Sequence, residues 1–422
     1  MKSRIWGLVL VSGLLSALSL GCSDSNSGKP GNSGGAGSGG QTGDITSHTY
    51  NYDDPGIVYS GRISNVDGKP PRFSAPAVTI SARFKGVSAA MTVFDNAASA
   101  NYFDAIIDND FANAKKVKPA DAGPTELFTD LPYGEHEIKV VKRTEASTGS
   151  VDFKSFTFGG EILEALERPS RRIEIIGDSI SAGSGNEAAN GSAQCNEDFG
   201  RPYSNASKSY GPLLARALNA EYQVTAVSGI GALRNYNCSD PDTMPKVYDR
   251  VFLESSTSPV WDHSAFVPDA IVMILGTNDF SPDGCNNIAL NETVDPENYE
   301  LYISNMVDFL GVLRGYYPEA EIFLAASPML NDGWPDQTYT SDTSHRAAIT
   351  RVAEQVNALA TEGEKVHVLL AEYKKTRMAG RGCGTHPSAY EHGIMAGFDA
   401  NKPADPLPAT LLLDPIKATM GW

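Results

Sequence analysis

The sequence predicts an all-β sandwich over residues 48–168, followed over residues 169–422 by an α/β domain on a doubly wound parallel five-stranded sheet. Three observations carry this. The chain has 422 residues, more than one core usually encloses. Its first half holds short alternating runs separated by turn residues, with no long helical period. From about residue 170, unbroken apolar runs alternate with helical stretches, the signature of strands buried on both faces.

Ahead of both halves stands an export signal. Lys2 and Arg4 give a short basic region, and residues 5 to 20 are apolar or small, too short for a permanent membrane span. Ser19-Leu20-Gly21-Cys22 resembles a bacterial lipoprotein cleavage site, although the favoured Leu three residues before the Cys is replaced by Ser19. Residues 1–21 are therefore expected to be a signal peptide and Cys22 to carry the lipid. Residues 22–47 are rich in Ser, Gly, Asn and Thr and are expected to form a tether. The implied location is extracytoplasmic, as an exported bacterial lipoprotein at the cell envelope or surface, with the lipid at Cys22 as the membrane contact. A formal net charge of -17 repels phosphate backbones and argues against a nucleic-acid partner.

In the β half, Val78 to Phe84 and Glu137 to Val141 read as strands, and Leu131-Pro132-Tyr133-Gly134 as a turn. In the second half the strand runs are Arg172 to Ile176, Val224 to Val227, Ala270 to Leu275, Ile322 to Ala326 and Val366 to Leu370. Helices are expected over 209–219, 298–314 and 343–361. In such a sheet ligands bind beyond the carboxyl ends of the strands, so functional segments should fall just past a strand.

Four segments do. Gly177-Asp178-Ser179-Ile180 follows the first run, Ser228-Gly229-Ile230-Gly231 the second, Gly276-Thr277-Asn278-Asp279 the third and Gly384-Thr385-His386-Pro387 the fifth. In this order they resemble the sequence blocks of the SGNH, or GDSL-type, hydrolases. The resemblance implies Ser179 as nucleophile and His386 as its base. It implies an oxyanion hole of the Ser179 and Gly229 backbone N–H groups and the Asn278 amide, Gly231 being a weaker alternative to Gly229. These residue types suit acyl transfer. A serine hydroxyl needs a neighbouring imidazole to accept its proton, and fixed donors stabilise the negative oxygen of the tetrahedral intermediate. One position departs from the family: where many members carry an Asp three residues before the His, this chain has Cys383. A Ser-His dyad is the direct reading, with a backbone carbonyl, Glu391 or an acid from another loop left to orient the ring.

Gly61-Arg62, Arg83-Phe84-Lys85-Gly86, the run Val140 to Ala146 with Gly149 and Phe153, and Arg234-Asn235-Tyr236 are similar to carbohydrate esterase family 2. That resemblance makes the β half a jelly-roll. It implies a serine esterase removing O-acetyl groups from plant polysaccharides such as xylan and glucomannan, with a preference for primary 6-position acetyl groups. The expected partner is an acetylated polysaccharide or oligosaccharide, and the chain is expected to be a monomer with no cofactor and no metal. A general acylesterase or lipase-like enzyme, and a carbohydrate-binding surface lipoprotein with an inactive esterase domain, are the alternatives. Trp334, Tyr236, Trp261 and Phe280 are candidate sugar contacts, with Tyr390 and His392 behind them. Cys195, Cys238, Cys285 and Cys383 suggest two disulfides with three connectivities. The positions of their loops favour Cys285–Cys383 and Cys195–Cys238.

Overall fold

The computed structural model describes residues 46–97, 100–238, 241–281, 288–360, 365–371, 373, 380–397 and 412–422. The expected signal peptide, the lipidation position Cys22, nearly all of the tether, and Cys285 lie outside the described residues.

The alternating first half folds into strands β1 (Ser47–Asn51), β2 (Ile57–Ser60), β3 (Arg72–Phe73), β4 (Thr79–Asp95), β5 (Phe103–Ile107), β6 (Lys115–Val117), β7 (Thr125–Phe128), β8 (Gly134–Lys142) and β9 (Val151–Leu163). All nine belong to one hydrogen-bonded network rather than two separate sheets. Strand β4 makes this continuity. Its first residues pair with β2 and β8 and its later ones with β9 and β7. Register shifts at Gly86/Ser88 and Thr92/Val93 bend it between these neighbours. At the first bend a Cβ on Gly86 would lie 2.2 Å from the Gly159 carbonyl oxygen, so only glycine fits. Phe73, Phe84, Phe153, Phe156 and Phe158 fill the core, with the rings of Phe84 and Phe158 stacked 4.4 Å apart.

The second half is a five-stranded parallel sheet of β10 (Arg171–Gly177), β11 (Ala220–Ala226), β12 (Ala270–Ile274), β13 (Glu321–Ala325) and β14 (Val366–Leu369). The helices are α1 (Ser179–Ala182), α2 (Tyr210–Ala217), α3 (Met244–Val247), α4 (Thr277–Phe280), α5 (Pro296–Tyr316), α6 (Ser341–Ala358), α7 (Ala389–Ala396) and α8 (Leu413–Met420). Strand order is β11-β10-β12-β13-β14, which places the direction switch at β10. Successive strand residues face opposite layers. Ile271 and Met273 pack with α5 and α6, while Val272 and Ile274 pack with α2, α7 and α8. This two-sided burial explains why the strands read as unbroken apolar runs.

The two halves share a core: Ala77, Ile106 and Val141 from the β-rich half belong to the cluster around α2 and β10. Arg62 crosses the same boundary, fully buried. Its guanidinium meets Glu174 Oε1 at 3.4 Å, Thr225 Oγ1 at 3.2 Å, the Arg250 carbonyl at 2.8 Å and the Tyr248 carbonyl. Its charge lies over the Tyr248 and Trp261 rings, 4.8 and 5.4 Å from their centroids. The Gly61-Arg62 motif thus locks one half to the other.

Candidate active site

Strand β10 runs between β11 and β12, with Gly177 opposite both Ala226 and Ile274. The residues after these three strands therefore emerge side by side. Ser179 follows β10, Gly229 follows β11, and Asn278 follows β12. At Gly177 a Cβ would approach the Ile274 carbonyl to 2.6 Å and Ser181 Oγ to 2.2 Å. Only glycine lets the chain turn here from strand into α1. Asp178 caps that helix by accepting the Ile180 N–H at 2.9 Å. Burial pushes the Asp178 carboxyl up to about 6.

Ser179 is 7% exposed. Its Oγ lies 2.7 Å from His386 Nε2. On the other side of the ring, Nδ1 lies 2.8 Å from the Cys383 carbonyl oxygen. A carbonyl only accepts, so Nδ1 carries the proton and Nε2 is left to receive one from Ser179. Of the three orienting groups left open by the sequence, the backbone carbonyl is the one in contact. Glu391 is instead buried in a capping box: its Oε2 accepts the N–H groups of Arg381 at 3.0 Å and Ser388 at 2.8 Å. Burial lowers the His386 pKa, while the Cys383 hydrogen bond and the charge of Glu145 act to raise it.

The other strand ends are organised around one buried acid. Asp279 accepts the N–H groups of Ala232 at 3.0 Å, Leu233 at 2.7 Å and Arg234 at 2.9 Å. Gly229, at φ +80°, occupies the left-handed region, which a residue with a Cβ adopts less readily. Asn278 Nδ2 donates to the Ile230 carbonyl at 2.8 Å, using one of its two amide hydrogens. The weaker candidate Gly231 has its N–H committed to Asn235 Oδ1 at 2.9 Å.

Several expectations are corrected. Cys383 is bonded to Cys195, not to Cys285, and Cys238 is therefore not joined to Cys195. The His386 loop zips onto the segment after Ser179, through Cys383 N–H to the Gly185 carbonyl (3.1 Å), Asn190 N–H to Arg381 (2.8 Å) and Ala389 N–H to Asn186 (2.7 Å). That brings Cys383 beside Cys195. Trp261, 6% exposed, packs on Val251 and Phe266 under Arg62, and the cavity it lines with Arg168 and Glu221 lies at the start of β11, away from Ser179. Phe280, 1% exposed, is clasped by Tyr299, Tyr302 and His345. His392 is fully buried, accepts the Tyr210 N–H at 3.2 Å and is pushed down to about 3 by burial. Tyr390 packs against the core beside α2. Tyr236 and Trp334 are exposed, and the Tyr236 N–H donates to the Gly229 carbonyl at 2.8 Å. A cavity of about 570 Å³ lined by Lys139, Arg216 and Tyr222 opens at the start of β11, the opposite end of the sheet from Ser179.

Comparison with known proteins places this geometry. Residues 59–165 match the model described as carbohydrate esterase 2 N-terminal, and residues 175–392 that of the GDSL-like lipase/acylhydrolase family. The chain is 32% identical over 353 residues to the cellulase/esterase CelE of Acetivibrio thermocellus, covering 83% of this chain but only 39% of that protein. It is 31% identical over 288 residues to an acetylxylan esterase/glucomannan deacetylase of Cellvibrio japonicus, covering 68% of this chain and 75% of the relative. Among solved structures, it resembles a family two carbohydrate esterase from Clostridium thermocellum in complex with cellohexaose, with TM-score 0.70 and 28% identity over 87% of this chain and all of the other. The serine turn and the β-rich half thus point the same way: the chain belongs to the GDSL-like lipase/acylhydrolases and, among them, to carbohydrate esterase family 2.

Proposed function

We propose that this protein is a serine esterase that removes O-acetyl groups from plant-type polysaccharides, xylan and glucomannan among them, by a Ser179–His386 dyad. The observation that carries it is the continuous line from Ser179 Oγ to His386 Nε2 (2.7 Å) and from His386 Nδ1 to the Cys383 carbonyl (2.8 Å). Ser179 Oγ attacks the acetyl carbonyl carbon and gives its proton to Nε2. Negative charge gathers on the former carbonyl oxygen, where the Ser179 and Gly229 N–H groups and the remaining Asn278 amide hydrogen stabilise it, each by roughly 3 kcal/mol. Nε2 returns the proton to the departing sugar oxygen, leaving an acetyl-enzyme. Water, deprotonated by Nε2, then attacks that acetyl group, acetate leaves, and Ser179 is restored.

Because Ser179 is buried, the ester must reach inward. A primary 6-position acetyl group, which the hexoses of glucomannan can carry and the pentose backbone of xylan cannot, stands off its ring on a methylene and reaches furthest, which supports a preference for it. The exposed rings of Tyr236 and Trp334 are the proposed sugar contacts. The relatives' names and the cellohexaose in the similar structure support a carbohydrate partner. The basic-apolar start, Cys22 and the Cys195–Cys383 disulfide together support an exported lipoprotein.

The test is acetate release by the purified protein from acetylated xylan, acetylated glucomannan, an aryl acetate and a long-chain aryl ester, with Ser179→Ala alongside. The expected result is release from the acetylated substrates, lost by at least about 10³-fold in Ser179→Ala. A preference for the long-chain ester would replace this reading by a general acylesterase, and binding of polysaccharide with no release by an inactive esterase domain.

A further inference from the structure

The residue that stands where many SGNH-type hydrolases carry an orienting acid is tied into the molecule twice. Its carbonyl oxygen takes both the Nδ1–H of His386, at 2.8 Å, and the backbone N–H of His386, at 3.2 Å. Its sulfur is bonded to Cys195, 188 residues earlier in the chain. Between Cys383 and His386 the chain turns through Gly384 and Thr385, both left-handed at φ +60° and +64°. Thr385 is β-branched, and a left-handed φ there is costly, so the turn needs support from outside itself. The Gly382 N–H gives part of it, donating to the His386 carbonyl at 2.8 Å, and Cys383 gives the rest. Its N–H donates to the Gly185 carbonyl at 3.1 Å, and a Cβ on Gly185 would lie 2.5 Å from Cys383 Cβ, so a glycine is required for the approach. Gly185 is six residues from Ser179, whose own carbonyl accepts the Ser184 N–H at 3.0 Å. Nucleophile, disulfide and histidine thus form one closed circuit.

We propose that the Cys195–Cys383 disulfide is a positioning device for His386, holding in place the carbonyl that does the orienting work of the missing acid. A carboxylate attracts an imidazole proton by its charge over a range of geometries. A neutral carbonyl does so only while it is held in line, and here the crosslink holds it. The proposal rests on the dyad reading above.

The test is the Cys195→Ser/Cys383→Ser variant, which keeps the residue 383 carbonyl and removes only the crosslink. For an aryl acetate, kcat is expected to fall by about ten- to a hundredfold with KM within about twofold, the cost of a histidine out of line. Labelling of Ser179 by a fluorophosphonate should slow in parallel; there Oγ bonds to phosphorus, fluoride leaves and His386 takes the proton. The downfield Nδ1 proton resonance of His386 should weaken or vanish. Wild-type kcat and labelling in a variant that has lost only thermal stability would overturn the proposal. If the variant does not fold, the folded wild type is partly reduced and its cysteines are mapped by alkylation. Labelling lost in proportion to opening of Cys195–Cys383 supports the proposal, and full labelling of opened molecules overturns it. The two readings fail separately. A wild type labelled at Ser179 but inactive on acetylated carbohydrates overturns only the substrate, whereas one that is not labelled overturns the dyad and the positioning role together.

Discussion

In the proposed dyad, His386 serves as a base only while Nε2 is unprotonated. Burial disfavours the charged ring most strongly, and the Cys383 carbonyl and the charge of Glu145 oppose it; the net effect is a pKa below the ordinary 6.5. The neutral, competent form therefore dominates at and above neutrality, and activity is lost as pH falls through the lowered pKa. The acid limb of kcat/KM for an aryl acetate should accordingly have its midpoint below 6.5. Glu145 reaches this region from the loop after β8, where Ser184 Oγ donates to its Oε1 at 2.6 Å. Glu145→Gln removes a charge that favours the imidazolium, so it should move the limb to still lower pH. A limb that stays in place would show that the ring does not feel Glu145.

At the scale of elements, the loop after β11 is shaped by Asp279 in α4, which gathers three backbone N–H groups from a neighbouring strand end. Asp279→Ala would leave those donors without their acceptor, at about 1–3 kcal/mol each where they stay buried. The Gly229 loop should loosen. Urea unfolding should show a loss of roughly 3 kcal/mol or more, and kcat should fall more than KM rises, because an oxyanion donor acts mainly in the transition state. An unchanged kcat would mean that Gly229 keeps its place without this clasp. The same element explains what was legible in the sequence. The candidates Ser179, Gly229 and Asn278 stood out because each lies within a few residues of a strand end, and strands buried on both faces announce themselves as apolar runs; His386 lies well beyond the end of β14 and was marked by its Gly-Thr-His-Pro segment alone. The disulfide pairing could not, since order along the sheet says which loops share an end and not which of them touch. Trp261 and Phe280 failed as sugar contacts for a similar reason. An aromatic just past a strand reads alike whether it faces solvent or, as Phe280 at the end of α4 does, the rings of Tyr299 and Tyr302. The orienting carbonyl of Cys383 had no side-chain signature to read.

Over the whole molecule, the boundary near residue 168 divides strand patterns but not the core. The described residues after position 45 form one compact unit. Ile106 and Val141 complete the layer beneath β10, and Arg62 is satisfied only by groups of the α/β half. Glu174, its partner, also accepts from Gln223 at 3.0 Å, Thr225 at 2.6 Å and Tyr248 at 2.7 Å, so both charges are fully buried and each of their terminal nitrogens and oxygens has a partner. Removing one member of such a pair strands the other. Arg62→Ala should cost about 3–5 kcal/mol in urea unfolding. Because the core is shared, the loss should appear as a single transition. Tryptophan fluorescence, from Trp261, Trp334 and Trp422 in the α/β half, should coincide with far-ultraviolet circular dichroism, to which the β-rich half contributes. Two separated transitions would mean that the halves fold independently and that Arg62 merely docks them. In that case a chain of residues 169–422 alone should be soluble and react with a fluorophosphonate at Ser179. The shared core predicts the opposite: without Ile106, Val141 and Arg62, the face beneath β10 is uncovered and Glu174 is left buried without its cation.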